Sequence, residues 1–174
     1  MMNADTMLTT ARLTLRRPTA DDWPAFRDFM MSDRSAVFGG HGDLGRAWRA
    51  FASELGHWAI FGYGMWAVTR HCEDHIVLGL VGPWTPPDWP ETEIGWMILA
   101  DNVEGSGIAT EAAQAALTHA FDVLGWHTAV SYIGPGNTRS IRLAVKLGAV
   151  LDETAKAPTT NTLVYRHANP GAAA

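Results

Sequence analysis

Apolar and polar positions change period several times along this chain, and each change marks an element. Leu13 and Leu15 alternate with Arg12, Thr14 and Arg16, which predicts a strand over residues 8–17, ended by Pro18. Thr19 follows as a helix N-cap with Asp21 and Asp22 in the first turn, and Trp23, Phe26, Phe29 and Met30 recur at helical spacing. After a glycine-rich loop over 38–44, Trp48, Phe51, Leu55 and Trp58 define a second helix over 46–61. Strands follow over 65–69 and 76–81, joined by a polar turn. Four prolines within 83–90 predict an irregular loop before another strand over 91–99.

An alanine-rich helix spans 108–124, with Gly125 as its C-cap. An apolar strand over 128–133 and a Gly-Pro-Gly turn lead to a short helix capped by Asn137 and ending at Gly148. Two strands, over 150–154 and 162–167, close the chain. The order β-α-α-β-β-β-α-β-α-β-β predicts one α/β domain with a mixed sheet over residues 8–168, with 1–7 and 169–174 as flexible ends.

Length and composition narrow this further. The chain has 174 residues, enough for one core, and 47% of them are hydrophobic, which suits a globular domain. A net charge of −5 argues against nucleic acid as the main partner, because phosphate binding needs a basic face. The single cysteine, Cys72, allows no intramolecular disulfide and no cysteine metal cluster. No signal peptide and no membrane span is expected, so the reading is a cytoplasmic protein with no membrane partner. The histidines His57, His71, His75 and His127 lack metal-ligand spacing, and no metal is expected.

The chemistry concentrates where the strand over 91–99 meets the helix at Ile108. Between them lies Glu104-Gly105-Ser106-Gly107, a glycine turn that opens a helix. The first helical turn leaves backbone N–H groups unpaired beside the positive end of the dipole, so this is an anion cradle suited to a diphosphate. A Walker loop would need a lysine after Gly107, and none is present. The dinucleotide fingerprint lacks its third glycine, which is Thr110 here, and has no acidic residue at the end of the next strand.

The run Glu104–Ala109 instead resembles the acyl-CoA-binding signature Gln/Arg-x-x-Gly-x-Gly/Ala of the GNAT acetyltransferase superfamily. Its extension Ala109-Thr110-Glu111-Ala112 resembles the RimJ/RimL-type branch. The opening Thr10–Pro18, the blocks Gly64–Val68 and Glu93–Trp96, and Asn137–Ser140 through Lys146–Gly148 fall in family order. The resemblance implies a twisted mixed sheet whose two central parallel strands splay apart. It implies that backbone groups of Trp96, Met97 and Ile98 meet the pantetheine arm of acetyl-CoA. Amides of Gly105, Ser106, Gly107, Ile108, Ala109 and Thr110 would hold the pyrophosphate, and Asn137 would touch the arm or hold its loop. The acceptor would be a primary amine, on a protein N-terminus or a small molecule, and the assembly a monomer or homodimer.

Two departures from the family pattern bear on mechanism. Glu104 stands where glutamine or arginine is usual, and a carboxylate beside a diphosphate is expected to point to solvent. The position of the family's tyrosine acid is Ala144. Transfer needs a base for the amine and a donor for the sulfur. Glu93 is the candidate base, with a surface carboxylate as the plain alternative. Ser140 is the candidate donor, with helix capping as the plain alternative. Trp84 and Trp89 are candidate acceptor-pocket walls, or anchors for the proline-rich loop. A non-catalytic acyl-CoA-binding domain of the same fold is the alternative function.

Overall fold

A computed structural model describes residues 7–38 and 42–169. The outermost end residues, 1–6 and 170–174, and the centre of the predicted glycine loop lie outside the described residues. At the ends that are described, Met7 is exposed and the Asn169 amide donates to the Trp126 carbonyl.

Eight strands among the described residues form one sheet, ordered β1-β2-β3-β4-β5-β6-β8-β7. They are β1 (Leu8–Thr9), β2 (Leu13–Arg16), β3 (Trp66–Arg70), β4 (Gly79–Trp84), β5 (Glu93–Ile98), β6 (Ala129–Ile133), β7 (Val150–Leu151) and β8 (Leu163–His167). Four helices pack on it: α1 (Trp23–Met30), α2 (Leu44–Phe61), α3 (Ile108–Asp122) and α4 (Thr138–Lys146). All neighbours pair antiparallel except β5 and β6, which are parallel and share a single register pair, Glu93 with Val130. The mixed sheet with splayed central strands is therefore present.

Side-chain alternation along the strands sorts the core onto two faces. Leu13, Leu15, Trp66, Val68, Ile94 and Trp96 pack with the alanines of α3 and with Ala144 of α4. Ala67, Leu80 and Met97 face the other way, against Phe26, Phe29 and Met30 of α1 and Phe51 of α2. Burying side chains of this size contributes roughly 1.5–3 kcal/mol each.

Three expectations need correction. The first predicted strand is a tight hairpin, with Leu8 opposite Leu15; the turn is fixed by Thr10, whose N–H and hydroxyl both reach the Leu13 carbonyl. Proline content predicted that irregular structure begins at Pro83, yet Pro83 and Trp84 are strand, paired with Ile94 and Glu93. Pairing with β3 has already stopped at Val81, so Pro83 has a partner on one side only, an edge-like position that proline tolerates. In α2 the buried stripe is Ala47, Phe51, Glu54, His57 and Trp58, whereas Trp48 is exposed.

Candidate active site

The splay is held open by side chains. Val130 N–H donates to the Thr92 carbonyl, and the ladder between β5 and β6 ends at the one register pair of Glu93 with Val130. The next parallel rung would join Tyr132 N–H to the Ile94 carbonyl. Both groups are taken. The Ser131 hydroxyl donates to the Ile94 carbonyl at 2.7 Å, and Tyr132 N–H donates to Glu93 Oε1 at 3.3 Å. Ser131 Oγ in turn accepts from His167 Nε2 at 2.9 Å, which leaves Nδ1 as the unprotonated ring nitrogen; it is buried and unpartnered. Burial lowers the His167 pKa to about 4, so the ring is neutral.

Alternation along β5 decides which backbone groups face the opening. Thr92 and Ile94 direct theirs toward β6, so Trp96 and Ile98 do too, whereas Met97 faces β4 and sits opposite Leu80. Met97 is thus committed to the sheet, against the expectation that it meets the pantetheine arm. The Ile98 carbonyl is also taken, by Arg34 at 3.0 Å, and a second nitrogen of the same guanidinium reaches the Leu99 carbonyl at 2.6 Å. No β6 residue pairs with Trp96, whose backbone is left open at the gap.

The glycine turn behaves as its sequence predicts at two points. Gly105 and Gly107 have φ of +76° and +84°, a region where a β-carbon is strained. Gly107 is the N-cap of α3, and the first helical bond runs from Glu111 N–H to its carbonyl. The amides of Ile108, Ala109 and Thr110 precede that bond and have no acceptor within the helix. Ser106 differs from expectation: its N–H donates to the Val103 carbonyl, so the cradle consists of the amides from Gly107 onward.

Glu104 does not simply point to solvent. It is exposed, yet its carboxylate bridges Arg34, at 2.7 Å, and Arg139 on α4. Two guanidiniums offset the carboxylate, which removes the electrostatic objection to an anion beside it. Arg12 closes the other side of the turn, donating to the Ser106 carbonyl and to Glu111. A groove of about 860 Å³ runs past Arg12 and Glu111 along the outside of α3, away from the splay.

Ser140 lies on the α3–α4 side of the opening. Its N–H donates to Asn137 Oδ1, so Asn137 caps α4 as predicted. Its hydroxyl oxygen accepts from the Trp96 indole N–H at 3.0 Å. That leaves the hydroxyl proton free for another acceptor, and it commits the Trp96 ring to holding Ser140. Ala144 is fully buried and supplies no acid.

Glu93 sits on the opposite side, with its side chain toward α1 and α2. It is buried, and Trp89 Nε1 donates to its Oε2 at 2.5 Å. Loss of water raises its pKa to about 7, although the Trp89 and Tyr132 donors pull the other way. Trp84, its cross-strand partner, stacks on His57 with ring centres 4.7 Å apart. His57 Nδ1 lies 2.7 Å from the Tyr63 carbonyl, so that nitrogen carries the proton, and Nε2 accepts Thr85 N–H. Trp89 meets Tyr132 edge-on. The two tryptophans therefore flank Glu93, and each also pins the loop after β4.

Sequence reasoning missed Glu54, Arg34 and Arg139. Glu54 occupies the apolar stripe of α2 and is buried, with Oε2 lacking any hydrogen-bond partner. A charged residue at core spacing was the available signal. Nothing in the local pattern around Arg34 or Arg139 marks either as a partner of Glu104.

A family model described as the acetyltransferase (GNAT) domain matches residues 12–150. Among solved structures, an acetyltransferase from Agrobacterium tumefaciens str. C58 is 39% identical, with 94% of each chain covered and a TM-score of 0.88. A GNAT-family protein from Bordetella pertussis is 24% identical, covering 94% of this chain and 99% of its own, with a TM-score of 0.76. RimL, a ribosomal L7/L12 alpha-N-protein acetyltransferase, shares the fold at 15% identity, with 95% of each chain covered and a TM-score of 0.72. With a family model spanning most of its length, a glycine turn at the start of α3 and a sheet split beside it, this chain belongs to the GNAT family of acetyltransferases.

Proposed function

We propose that this protein is an acetyl-CoA-dependent N-acetyltransferase of the RimJ/RimL type, with residues 8–168 as its catalytic unit and a primary amine as acceptor. The observation that carries this reading is the position of two polar groups on opposite faces of one opening. Glu93 lies on the α1–α2 face and Ser140 on the α3–α4 face, with the free Trp96 backbone between them. A thioester lying in that gap would meet a base on one side and a hydroxyl on the other.

The residues fit acetyl-CoA. Unpaired amides at the start of α3, from Gly107, Ile108, Ala109 and Thr110, suit its pyrophosphate, with Gly105 and Ser106 shaping the turn. Trp96 N–H and C=O and Ile98 N–H suit the amide groups of its pantetheine arm, and Asn137 keeps the start of α4 beside it. Acetyl-CoA supplies an activated acyl group. Glu93, poised near neutral pH, takes the proton from the acceptor amine. Ser140 donates its hydroxyl hydrogen bond toward the leaving sulfur, held there by Trp96. Holding both reactants in one gap adds the larger part of the rate, since effective molarities of ~10⁵ M or more are reached by well-oriented pairs.

The test is calorimetric titration with acetyl-CoA and CoA, followed by a thiol-release assay across primary amines and N-terminal peptides. Binding with release for one acceptor class supports the reading. Binding without turnover for any acceptor would favour a non-catalytic acyl-CoA-binding domain.

A further inference from the structure

Beneath the aromatic residues on the α1–α2 face lies a second carboxylate that the acetyl-transfer reading does not use. Glu54, on α2, is 5% exposed, and Glu93 is 9% exposed. A chain of neighbouring residues links them. Glu54 is one helical turn before His57; His57 stacks on Trp84; Trp84 is the cross-strand partner of Glu93. Glu93 has its donors in Trp89 and Tyr132 N–H, whereas Glu54 Oε2 has none. No lysine, arginine or histidine forms an ion pair with either carboxylate among the described residues.

An unpaired buried carboxylate is costly, and a purely structural role would be filled better by an apolar side chain in that stripe. We propose that Glu54 and Glu93 together form the acceptor-nitrogen site, so that the substrate enters as an alkylammonium cation with an apolar or aromatic body lying along Trp84 and Trp89. This rests on the acetyl-transfer reading and names the acceptor class for it. Burial, and after it the charge of Glu93, pushes the Glu54 pKa up to about 8. Near neutral pH Glu54 therefore keeps its proton, and Glu93 is the member of the pair that ionises. The cation supplies what the pair lacks: positive charge, and N–H donors for Glu54 Oε2.

The proton balance closes. The ammonium gives one proton to the ionised member of the pair. The neutral nitrogen forms the C–N bond to the acetyl carbonyl carbon as the C–S bond breaks. The second nitrogen proton goes to the departing thiolate, through the Ser140 hydroxyl or directly, and the pair then returns its proton to water. Weakly basic aromatic amines, neutral at pH 7, gain nothing from such a site.

The experiment uses the full-length protein with saturating acetyl-CoA and two probes, 2-phenylethylamine and aniline, comparing wild type with E54Q. We expect transfer to 2-phenylethylamine and not to aniline. We expect E54Q to raise the KM for 2-phenylethylamine at least tenfold, with kcat changed less than threefold and the KM for acetyl-CoA unmoved. An unchanged amine KM in a folded E54Q variant overturns the proposal. A second measurement needs no acceptor. In protein labelled with ¹³C at the glutamate side-chain carboxyls, Glu54 and Glu93 should titrate as a coupled pair, and E54Q should leave one simple step. Two independent titrations in the ordinary carboxylate range overturn the pair even if no amine is acetylated. Failure of every amine with the coupled titration intact would instead count against the transfer reading alone.

Discussion

At the start of α3 the proposed recognition groups are backbone amides from four consecutive residues, whereas on the α1–α2 face they are buried carboxylates supplied by α2 and β5. The first set is fixed by local chain geometry, two left-handed glycines followed by a helix, and any sequence with that turn would present the same donors. The second depends on tertiary packing and carries buried charge with incomplete hydrogen bonding. One half of the site is thus a consequence of secondary structure. The other half is maintained at a cost in stability, which is the usual mark of groups kept for function.

Changing each half separately should expose this difference, and the largest effect is expected at Glu93. E93Q should lower kcat by about 10² or more, the range of a lost general base, while calorimetry shows unchanged acetyl-CoA affinity. Gly107→Val should do the reverse. A β-branched residue at φ +84° displaces the cradle, and acetyl-CoA affinity should fall by roughly tenfold or more, the equivalent of ~1–2 kcal/mol.

Of the two halves, the carboxylate half should set the pH dependence of stability near and above neutrality. Glu54 and Glu93 have folded pKa values of about 8 and about 7, above the ordinary 4.5, so the stability they contribute is complete below about 4.5 and is lost as pH rises toward 8. His57, His119 and His167, all lowered by burial, act in the opposite sense below about 6.5, so the carboxylate effect stands clear between pH 7 and 8. Denaturant unfolding of E54Q should show a gain over wild type that widens with pH, on the order of 1 kcal/mol per pH unit until Glu54 is ionised. A gain that stays flat with pH would mean that Glu54 is unperturbed.

Two smaller effects sharpen the comparison. Ser140→Ala should reduce kcat by roughly tenfold, and it should lower stability by ~1–3 kcal/mol because the Trp96 indole N–H is left without its acceptor. Glu104→Gln should change acetyl-CoA affinity by about threefold or less, with the difference shrinking in high salt, because it only releases Arg139 and Arg34 beside the cradle.

The same contrast explains what could be read from the sequence. The glycine turn, the α3 start, the Asn137 cap and the order of elements were legible because each is a local pattern with a local cause. Glu93 could be nominated from its place in a strand, but its two donors and its burial come from Trp89 and Tyr132, and only the fold joins them. In α2, apolar periodicity through Trp48, Phe51, Leu55 and Trp58 holds at the last three, but Trp48 is exposed and the buried positions Glu54 and His57 were not anticipated. A hydrophobicity pattern gives a buried glutamate no weight, so Glu54 vanished from it while exposed Trp48 counted. Pro83 shows the converse, a breaker residue accepted within a strand because one neighbour had already left.

The capped opening between β5 and β6 has a thermodynamic consequence. Zipping the next rung shut would exchange two bonds, Ser131 hydroxyl to the Ile94 carbonyl and Tyr132 N–H to Glu93, for a single ladder bond, and would leave the Ser131 hydroxyl proton without that acceptor and Glu93 with the Trp89 donor alone. The open sheet is therefore the resting form rather than a state that a ligand must create. Acyl donors would meet a preorganised slot, with little of their binding energy spent on rearranging the protein. A designer who wants a crevice in a parallel sheet could copy the device by capping one donor and one acceptor at the rung where the ladder should end.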